Sequence, residues 1–360
     1  RFMAAALRLS RRNAGRTSTN PSVGTIIVRD DGAGPMIVGT GVTAIGGRPH
    51  AETEALAEAG ELARGATAYV TLEPCAHHGR TPPCAVALVE AGIARVVGAA
   101  SDPDPRVSGK GYAILRAAGM EVVEKVLARE AAEQLAGYMS RSLRKRPEVI
   151  LKLALSADGY IGRRGGGQVS VTGEVARREV HLMRAEADAV LIGIGTALED
   201  DPALTVRLPG LESRSPARVV LDRRIRLPET SKLVAGADRV PLLIAAAPDA
   251  DPHRRAALER LGVRFIGTET VDGAVALPEL MEDLAALGMA SILVEGGAEV
   301  AKAFLADDLV DRIVLFRGPD EIGAGGVASP LDEKSIPAGF RPLREMRFGD
   351  DTYREWVRDI

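Results

Sequence analysis

Short apolar runs recur along the chain and are separated by amphipathic stretches of helical period. In the first third of the chain, these runs predict strands at VGTIIVR, MIVGTGV, ATAYVTL, ARVVGAA and EVVEKVL. Helical spacing is found among them in ETEALAEAGELARG, PPCAVALVEAG and GKGYAILRAAG. Strands that alternate with helices through short connections are typical of a layered α/β fold with a largely parallel sheet.

A weakly apolar stretch, AREAAEQLAGYMSRSLRKRP, separates this part of the chain from the rest. Its spacing predicts a charged helix, and the proline that follows stops it. Because such a helix buries little, we place a domain boundary here, with a first domain at 1–146 and a second at 147–360. The basic run from Arg141 to Arg146 is interpreted as a solvated helix end and linker.

The alternation of strand and helix patterns resumes in the second domain. Strands are predicted at EVILKLALSAD, AVLIGIG, ARVVLD, VPLLIAA, VRFIG, SILVEGG and DRIVLFRG. Helices are predicted at EVARREVHLMRAEA, PHRRAALERLG, LPELMEDLAALG and EVAKAFLADDL. A chain of 360 residues is therefore interpreted as two α/β domains, since an average domain takes about 100–200 residues.

The net charge and the hydropathy of the chain limit the classes of partner that the protein is expected to bind. The net charge of −3 gives no overall positive excess for binding a nucleic-acid backbone. No apolar run approaches the roughly 18 residues that cross a bilayer. The first residues, RFMAAALRLSRRNAG, lack the separate basic and apolar blocks of a signal peptide. We therefore expect a cytoplasmic protein with no nucleic-acid or membrane partner.

The chain has only two cysteines, Cys75 and Cys84, and an HAE segment with His50 and Glu52 precedes them. One imidazole and two thiolates form a three-ligand zinc set that leaves the fourth position for water. Zinc lowers the pKa of such a water to about 7. Glu52 follows one ligand by two residues and can move protons without binding the metal. This H-x-E and P-C arrangement is that of zinc deaminases.

The spacing of the cysteines departs from the common deaminase pattern. Eight residues separate Cys75 from Cys84, where nucleic-acid deaminases have two. Pro83 can still begin a helix whose first turn presents Cys84. The alternative is a structural zinc site or two buried thiols. That interpretation leaves Glu52 and the two Pro-Cys pairs without a role.

Several segments together resemble one family, the bifunctional riboflavin-biosynthesis deaminase/reductases. The deaminase half of that family is similar to NPSVG, HAETEAL, TLEPCAHHGRTPPC and DPDPRVSGKG. The reductase half is similar to LKLALSADG, EDDPALTVR and VEGG, in the same order. The resemblance covers nearly the whole chain, and the segment between the two cysteines is its most specific part.

The resemblance implies a cytidine-deaminase-like, three-layer first domain. This domain would convert 2,5-diamino-6-ribosylamino-4(3H)-pyrimidinone 5′-phosphate to 5-amino-6-ribosylaminouracil 5′-phosphate and release ammonia. His50, Cys75 and Cys84 match the zinc ligands, and Glu52 matches the proton shuttle. A physical argument also supports Arg80 as a substrate contact, since the substrate is phosphorylated and a guanidinium matches the geometry of phosphate oxygens. The positions that match substrate contacts in this half are Asn20, His77, Arg80 and Asp102.

For the second domain, the resemblance implies a dihydrofolate-reductase-like fold that uses NADPH to reduce the ribosyl group to ribityl. Lys152 is a polar candidate at the reacting end. The matches on the substrate side are Arg184, Leu204, Arg207 and Glu295. The matches on the NADPH side are Leu155, Thr196, Asp200, Gly296 and Gly297. The segment GGGQVSVT departs from the family, and within it we assign Gln168 to the substrate and Ser170 to the cofactor. Because the glycine pair follows a predicted strand and precedes a helix, a phosphate can approach bare backbone there.

Two other functions compete with this one. A deaminase acting on tRNA shares the zinc set, but the acidic balance and the large second domain argue against it. The other is an active deaminase whose reductase half is degenerate and only binds nucleotide. Departures from the family keep this second alternative open, namely Asp104 in place of Asn, Arg223 in place of a small hydroxyl residue, and an RGPDEIG segment without the usual Lys. The family also implies a homo-oligomer.

Overall fold

The computed structural model describes residues 1–78, 82–165, 167, 169–271 and 273–358. The chain divides into two compact units, Arg1–Lys145 and Arg146–Ile360. Both units are α/β, as the sequence predicts. Among the described residues, none of the helices is both long enough and apolar enough to cross a lipid bilayer.

The first unit contains one sheet and the helices that pack on it. Its strands are β1 (Gly24–Asp30), β2 (Pro35–Val42), β3 (Thr67–Leu72), β4 (Arg95–Ala100) and β5 (Glu121–Val123). Its helices are α1 (Phe2–Ser10), α2 (Ala51–Ala59), α3 (Cys84–Glu90), α4 (Lys110–Ala117), α5 (Ala128–Gln134) and α6 (Ala136–Arg144). Short 3₁₀ helices follow α1 and α2 at Arg11–Asn13 and Gly60–Ala63.

The sheet of the first unit is mixed, and the prediction of a largely parallel sheet is wrong for this half. The strand order is β2-β1-β3-β4-β5 in the described residues. β1 is antiparallel to β2 and β3, whereas β3, β4 and β5 are parallel. Only residues 31–34 join β1 to β2. A connection this short forms a hairpin, because a parallel crossover needs a dozen residues or more.

Two glycines allow helices to approach the sheet closely from opposite faces. A Cβ on Gly24 would lie 2.2 Å from the carbonyl oxygen of Ala6 in α1. A Cβ on Gly41 would lie 2.0 Å from the carbonyl oxygen of Ala51 in α2. Gly41 pairs with Thr25, the neighbour of Gly24, so the two glycines face opposite sides of the pleat. Helices therefore cover both faces and form three layers.

The second unit is built on a larger sheet. Its strands are β6 (Glu148–Leu155), β7 (Tyr160–Arg163), β8 (Ala189–Gly193), β9 (Ala217–Leu221), β10 (Leu242–Ala246), β11 (Arg264–Gly267), β12 (Thr270–Val271), β13 (Ala274–Val275), β14 (Ser291–Val294), β15 (Arg312–Arg317), β16 (Gly326–Ala328), β17 (Phe340–Phe348) and β18 (Asp351–Arg358). Its helices are α7 (Glu174–Glu186), α8 (Ile194–Asp200), α9 (Lys232–Ala235), α10 (Pro252–Arg260), α11 (Leu277–Ala286) and α12 (Ala298–Ala306), with a 3₁₀ helix at Glu212–Arg214.

The main sheet of this unit follows the order β11-β10-β9-β8-β14-β6-β15-β18-β17 within the described residues. Neighbouring strands from β11 to β15 are parallel, and β18 is antiparallel to both β15 and β17. Successive residues of the central strand β8 point to opposite faces. Leu191 therefore joins one hydrophobic core and Ile192 the other.

A network of buried charges connects three strands of the second unit. The guanidinium of Arg312 on β15 lies 3.0 Å from Glu148 on β6 and 2.5 Å from Glu355 on β18. The hydroxyl of Tyr353 donates to the other oxygen of Glu355 at 2.8 Å. Both carboxylates are buried. Arg312 therefore bridges two carboxylates that would otherwise repel each other in a medium of low polarity, and Arg344 lies 3.6 Å from Glu355 as well.

Arg146 begins the second unit and is not a solvated linker residue. The interpretation of the basic run 141–146 as a solvated helix end and linker is therefore wrong for Arg146. Its guanidinium forms a bidentate pair with Asp311, with contacts of 2.5 and 2.9 Å. Asp311 also accepts a hydrogen bond from the backbone N–H of Val149 at 3.0 Å. The contact is largely buried and fixes the start of β6 beside the start of β15.

We predict that Arg312→Ala lowers the free energy of unfolding of the second unit by about 3–5 kcal/mol, because it leaves the buried Glu148 carboxylate without its cation and Glu355 with only the more distant Arg344. Urea unfolding followed by circular dichroism measures the change. The matched control is Arg347→Ala on exposed β17, which should stay within about 0.5 kcal/mol of wild type. Equal stability of the two variants would contradict the prediction.

Candidate functional site

The start of α2 places His50 and Glu52 side by side. His50 is the extended residue that precedes the helix, and Glu52 lies in its first turn. A carboxylate is favoured at this end of a helix because the free backbone N–H groups carry partial positive charge. The side chain of Glu52 points into the protein and is only 4% exposed.

The two cysteines reach His50 from separate elements. Cys75 follows β3, and Cys84 is the first residue of α3, directly after Pro83. The sulfur of Cys84 lies 3.3 Å from Nδ1 of His50, and that of Cys75 lies 3.8 Å from the same atom. The backbone N–H of Cys84 donates to the sulfur of Cys75 at 3.2 Å.

This cluster fits a zinc ion. The candidate ligand atoms of His50, Cys75 and Cys84 all lie within 4.8 Å of one another. Neither cysteine forms a disulfide. Two thiolates and one imidazole are the ligand types that zinc prefers, and three protein ligands leave one coordination position open. The donor set therefore suits a catalytic metal site better than a closed structural one.

The titratable groups of the cluster interact strongly and differ in protonation. Hydrogen bonding with Cys84 lowers the pKa of Cys75 to about 4, so this sulfur is a thiolate at neutral pH. The pKa of Cys84 is raised, first by the same hydrogen bond and then by burial. Burial, together with the negative charge of Cys75, raises the pKa of Glu52 to about 7. A carboxyl group with this pKa can both accept and donate a proton near neutral pH.

A cavity of about 250 Å³ opens beside the cluster and is built within the first unit. Its wall includes His50, Glu52 and Cys75. Asn20, His77 and Asp102, three of the substrate contacts expected from the sequence, line the same cavity. Arg80 lies outside the described residues. The structure thus brings together each described residue that was assigned to the deaminase half, with Cys84 buried beside the cavity.

Two residues that sequence reasoning missed support the loop that begins at Asp102. Glu73 is buried and accepts hydrogen bonds from the backbone N–H groups of Gly109 and Gly111, at 3.1 and 3.0 Å. The hydroxyl of Tyr138 donates to Asp102 at 2.9 Å. Glu73 precedes the Pro-Cys pair in sequence, but no local pattern shows that its partners lie more than 30 residues away.

The helix that was expected to bury little forms a wall of this cavity, and this is the main correction to the sequence analysis. The stretch folds as two helices, α5 and α6, which meet at Leu135. Tyr138, Arg141 and Ser142 of α6 line the cavity. Their spacing of three and four residues places them on one face of the helix. Arg141 is therefore part of the site rather than of a solvated linker.

A second cluster lies in the second unit. Arg184 on α7 forms a bidentate ion pair with Glu295, which follows β14, at 2.6 and 3.0 Å. The ammonium of Lys152 on β6 is 3.8 Å from the same carboxylate. Burial lowers the pKa of Lys152. The pKa of Glu295 is lowered by Arg184 and Lys152 despite its own burial, so the carboxylate stays ionised.

The remaining residues predicted for substrate in this unit lie on a neighbouring segment. Arg184 donates to the carbonyl oxygen of Thr205 at 3.3 Å, next to Leu204. Leu204 is buried and has a φ of 53°, a left-handed conformation that is unusual for leucine. The backbone N–H of Arg207 donates to His181 at 3.4 Å. Gln168 lies outside the described residues.

The residues predicted for the cofactor cluster where parallel strands end. β8 and β14 are neighbours. Thr196 lies in the first turn of α8, directly after β8, and the pair Gly296–Gly297 lies in the loop that follows β14. The backbone N–H of Gly297 donates to the hydroxyl of Thr196 at 3.0 Å. Leu155 ends the adjacent strand β6. Ligands of open α/β sheets bind at this edge.

Asp200 and Ser170 are less closely tied to that edge. Asp200 ends α8, and burial raises its pKa. Ser170 is exposed and accepts a long hydrogen bond from Arg177 at 3.4 Å. Packing also favours glycine at position 296, since a Cβ there would lie 2.9 Å from the side chain of Val300.

Comparison with known families covers both halves of the chain. Residues 1–100 match the cytidine and deoxycytidylate deaminase zinc-binding region, and residues 147–352 match the RibD C-terminal domain. The riboflavin biosynthesis protein RibD of Aquifex aeolicus is 37% identical over 352 residues, which cover 97% of this chain and 96% of that protein. The chain belongs to the RibD family.

Other members of the RibD family agree in sequence and structure. RibD of Escherichia coli is 38% identical over 360 residues, 96% of this chain and 95% of that protein. A structure of Acinetobacter baumannii RibD has a TM-score of 0.86 at 35% identity, covering 100% of this chain and 98% of that one. The deaminase/reductase of Thermotoga maritima has a TM-score of 0.85 at 32% identity, covering 99% and 98%. These matches confirm the fold that was expected for each half.

We predict that the purified protein holds one zinc ion per chain and that Cys84→Ala loses it, because two ligands cannot retain the ion against dilution. Metal content measured by plasma mass spectrometry tests this. His78→Ala is the matched control, since His78 is an exposed neighbour outside the cluster. Full zinc occupancy in Cys84→Ala would show that other residues bind the metal.

Proposed function

We propose that the chain catalyses two successive reactions of riboflavin biosynthesis. Residues 1–146 deaminate 2,5-diamino-6-ribosylamino-4(3H)-pyrimidinone 5′-phosphate, and residues 147–360 use NADPH to reduce the ribosyl group of the product to ribityl. The observation that carries the first assignment is the cluster of three ligands within 4.8 Å of one another beside the buried Glu52. The match of both halves to one family supports the pairing of the two activities.

In the deaminase half, His50, Cys75 and Cys84 would hold zinc. Bound zinc lowers the pKa of a coordinated water to about 7 and so provides a nucleophile at neutral pH. Glu52 takes the proton from the attacking water and delivers it to the departing amine, which leaves as ammonia. Its pKa of about 7 suits both transfers. The substrate contacts proposed for this half are Asn20, His77, Arg80 and Asp102.

In the reductase half, NADPH supplies the hydride when bound. Gly296 and Gly297 precede α12, where free backbone N–H groups favour a phosphate. Lys152 is the proposed acid at the reacting end, because its ammonium is buried with a lowered pKa. The remaining proposed cofactor contacts are Leu155, Ser170, Thr196 and Asp200. The proposed substrate contacts are Gln168, Arg184, Leu204, Arg207 and Glu295.

The competing functions have no observation in their favour. A tRNA deaminase would not account for the match of residues 147–352 to the RibD C-terminal domain. A degenerate reductase would not be expected to keep Lys152 within 3.8 Å of the Arg184–Glu295 pair. The homo-oligomer, the absence of a nucleic-acid partner and the cytoplasmic location stay predictions.

For the first reaction, we predict that Glu52→Gln keeps its zinc but releases ammonia about 10²–10⁴-fold more slowly, because the amide cannot accept the proton. Ammonia release and zinc content are measured on the same sample. Glu54→Gln is the matched control, an exposed acid in the same helical turn. Reduction of the deaminated substrate should be unchanged in both variants. Normal ammonia release by Glu52→Gln would remove this residue from the mechanism.

For the second reaction, we predict that Lys152→Met lowers NADPH oxidation by about 10²-fold, since it removes a proton donor of general acid type. The fold should persist because Arg184 still neutralises Glu295. NADPH absorbance is followed with the deaminated substrate supplied directly. Lys302→Met, at an exposed site on α12, is the control. If Lys152→Met reduces at the wild-type rate, another residue supplies the proton.

A further inference from the structure

We propose that Arg141 on α6 binds the phosphate of the substrate in the deaminase cavity. This inference rests on the proposed function, because it assumes a phosphorylated substrate at the Glu52 site. Sequence reasoning assigned a phosphate contact to Arg80, and Arg141 is a second and independent cation. Among the described residues, the cavity wall contains Arg48, two residues before His50, as well as Arg106 and Arg141, and the last two differ in whether a carboxylate neutralises them.

The cavity wall contains several carboxylates, so a phosphate monoester needs a cation that they do not occupy. A phosphate monoester carries about −1.5 to −2 charges at neutral pH. Arg106 lines the cavity, but its guanidinium is bound to both oxygens of Asp104, at 2.9 and 3.0 Å through Nε and 2.5 Å through Nη2. This pair lowers the pKa of Asp104 to about 2, so the carboxylate remains a charged partner for Arg106.

Arg141 is in a different situation. Its guanidinium donates one hydrogen bond to the carbonyl oxygen of Thr19, which is neutral. In the described parts of the chain, Arg141 forms no ion pair with a carboxylate. The contact with Thr19 also fixes the guanidinium beside Asn20, which lines the cavity. Arg141 is therefore oriented while its charge is uncompensated, which is the state in which a guanidinium binds phosphate most strongly.

The same face of α6 offers a further donor. Ser142 lines the cavity one residue beyond Arg141. The ammonium of Lys145 donates a hydrogen bond to the carbonyl oxygen of Ser142 at 2.8 Å. This carbonyl lies in the last turn of the helix and would otherwise lack a partner within the helix. Tyr138, one turn earlier, is already hydrogen-bonded to Asp102. One helix thus supplies a phosphate donor at one position and supports the loop of Asp102 at another.

The test compares the 5′-phosphorylated substrate with the corresponding riboside, which lacks the phosphate. For Arg141→Ala we expect kcat/KM of the phosphorylated substrate to fall about 10- to 100-fold, the range for a charge-assisted hydrogen bond. The value for the riboside should stay unchanged. Inorganic phosphate should inhibit wild type competitively and Arg141→Ala much more weakly. Arg141→Lys should recover part of the loss, because it restores the charge without the planar fork.

Arg144→Ala is the matched control, since it removes a cation from the last turn of the same helix and lies outside the cavity wall. It should behave as wild type with both substrates. Equal losses with both substrates in Arg141→Ala would show a structural role and overturn the proposal. An unchanged kcat/KM for the phosphorylated substrate would overturn it as well. If wild type releases no ammonia from the phosphorylated substrate, the proposed function itself has failed.

Discussion

The first unit depends on one geometric requirement, which is that an imidazole and two sulfurs meet from three separate elements. His50 precedes α2, Cys75 follows β3 and Cys84 begins α3. β3 is a strand of the sheet, and α2 is held against that sheet by close backbone packing where Gly41 meets Ala51. Because the three side chains converge beside the buried Glu52, the candidate metal ligands and the proposed proton carrier meet at one cavity. The chemistry of this half follows from that convergence.

The second unit depends on a different constraint, because it buries charged side chains within a large, mostly parallel sheet. Arg312 neutralises two carboxylates between strands, and Arg184 neutralises Glu295 at the site. In both places a bidentate or bridging guanidinium compensates for the loss of water. Lys152 lies beside one of these pairs with a lowered pKa. The ionic arrangement that keeps these charges buried thus also surrounds the residue that we propose as the proton donor.

The sequence predicted the parts of the molecule that depend on local pattern or on local chemistry. Apolar runs located the central strands, and residue type located the zinc cluster and Glu52. It failed where distant partners decide the outcome. The C-terminal hairpin of β17 and β18 was missed because Glu355 and other buried polar residues interrupt the apolar alternation. Arg141 was interpreted as solvated because the cavity that it faces is formed mostly by residues distant in sequence, such as Thr19, which is 122 positions away.

The central claim is that one chain carries two chemically independent sites, one of which needs a metal. The most direct test is to remove the metal with a chelator and to assay each reaction with its own substrate. We expect ammonia release to be lost and to return when zinc is added, while NADPH oxidation with the deaminated substrate continues at its original rate. Ammonia release that survives complete removal of the metal would contradict the account, as would loss of both activities in a chain that remains folded.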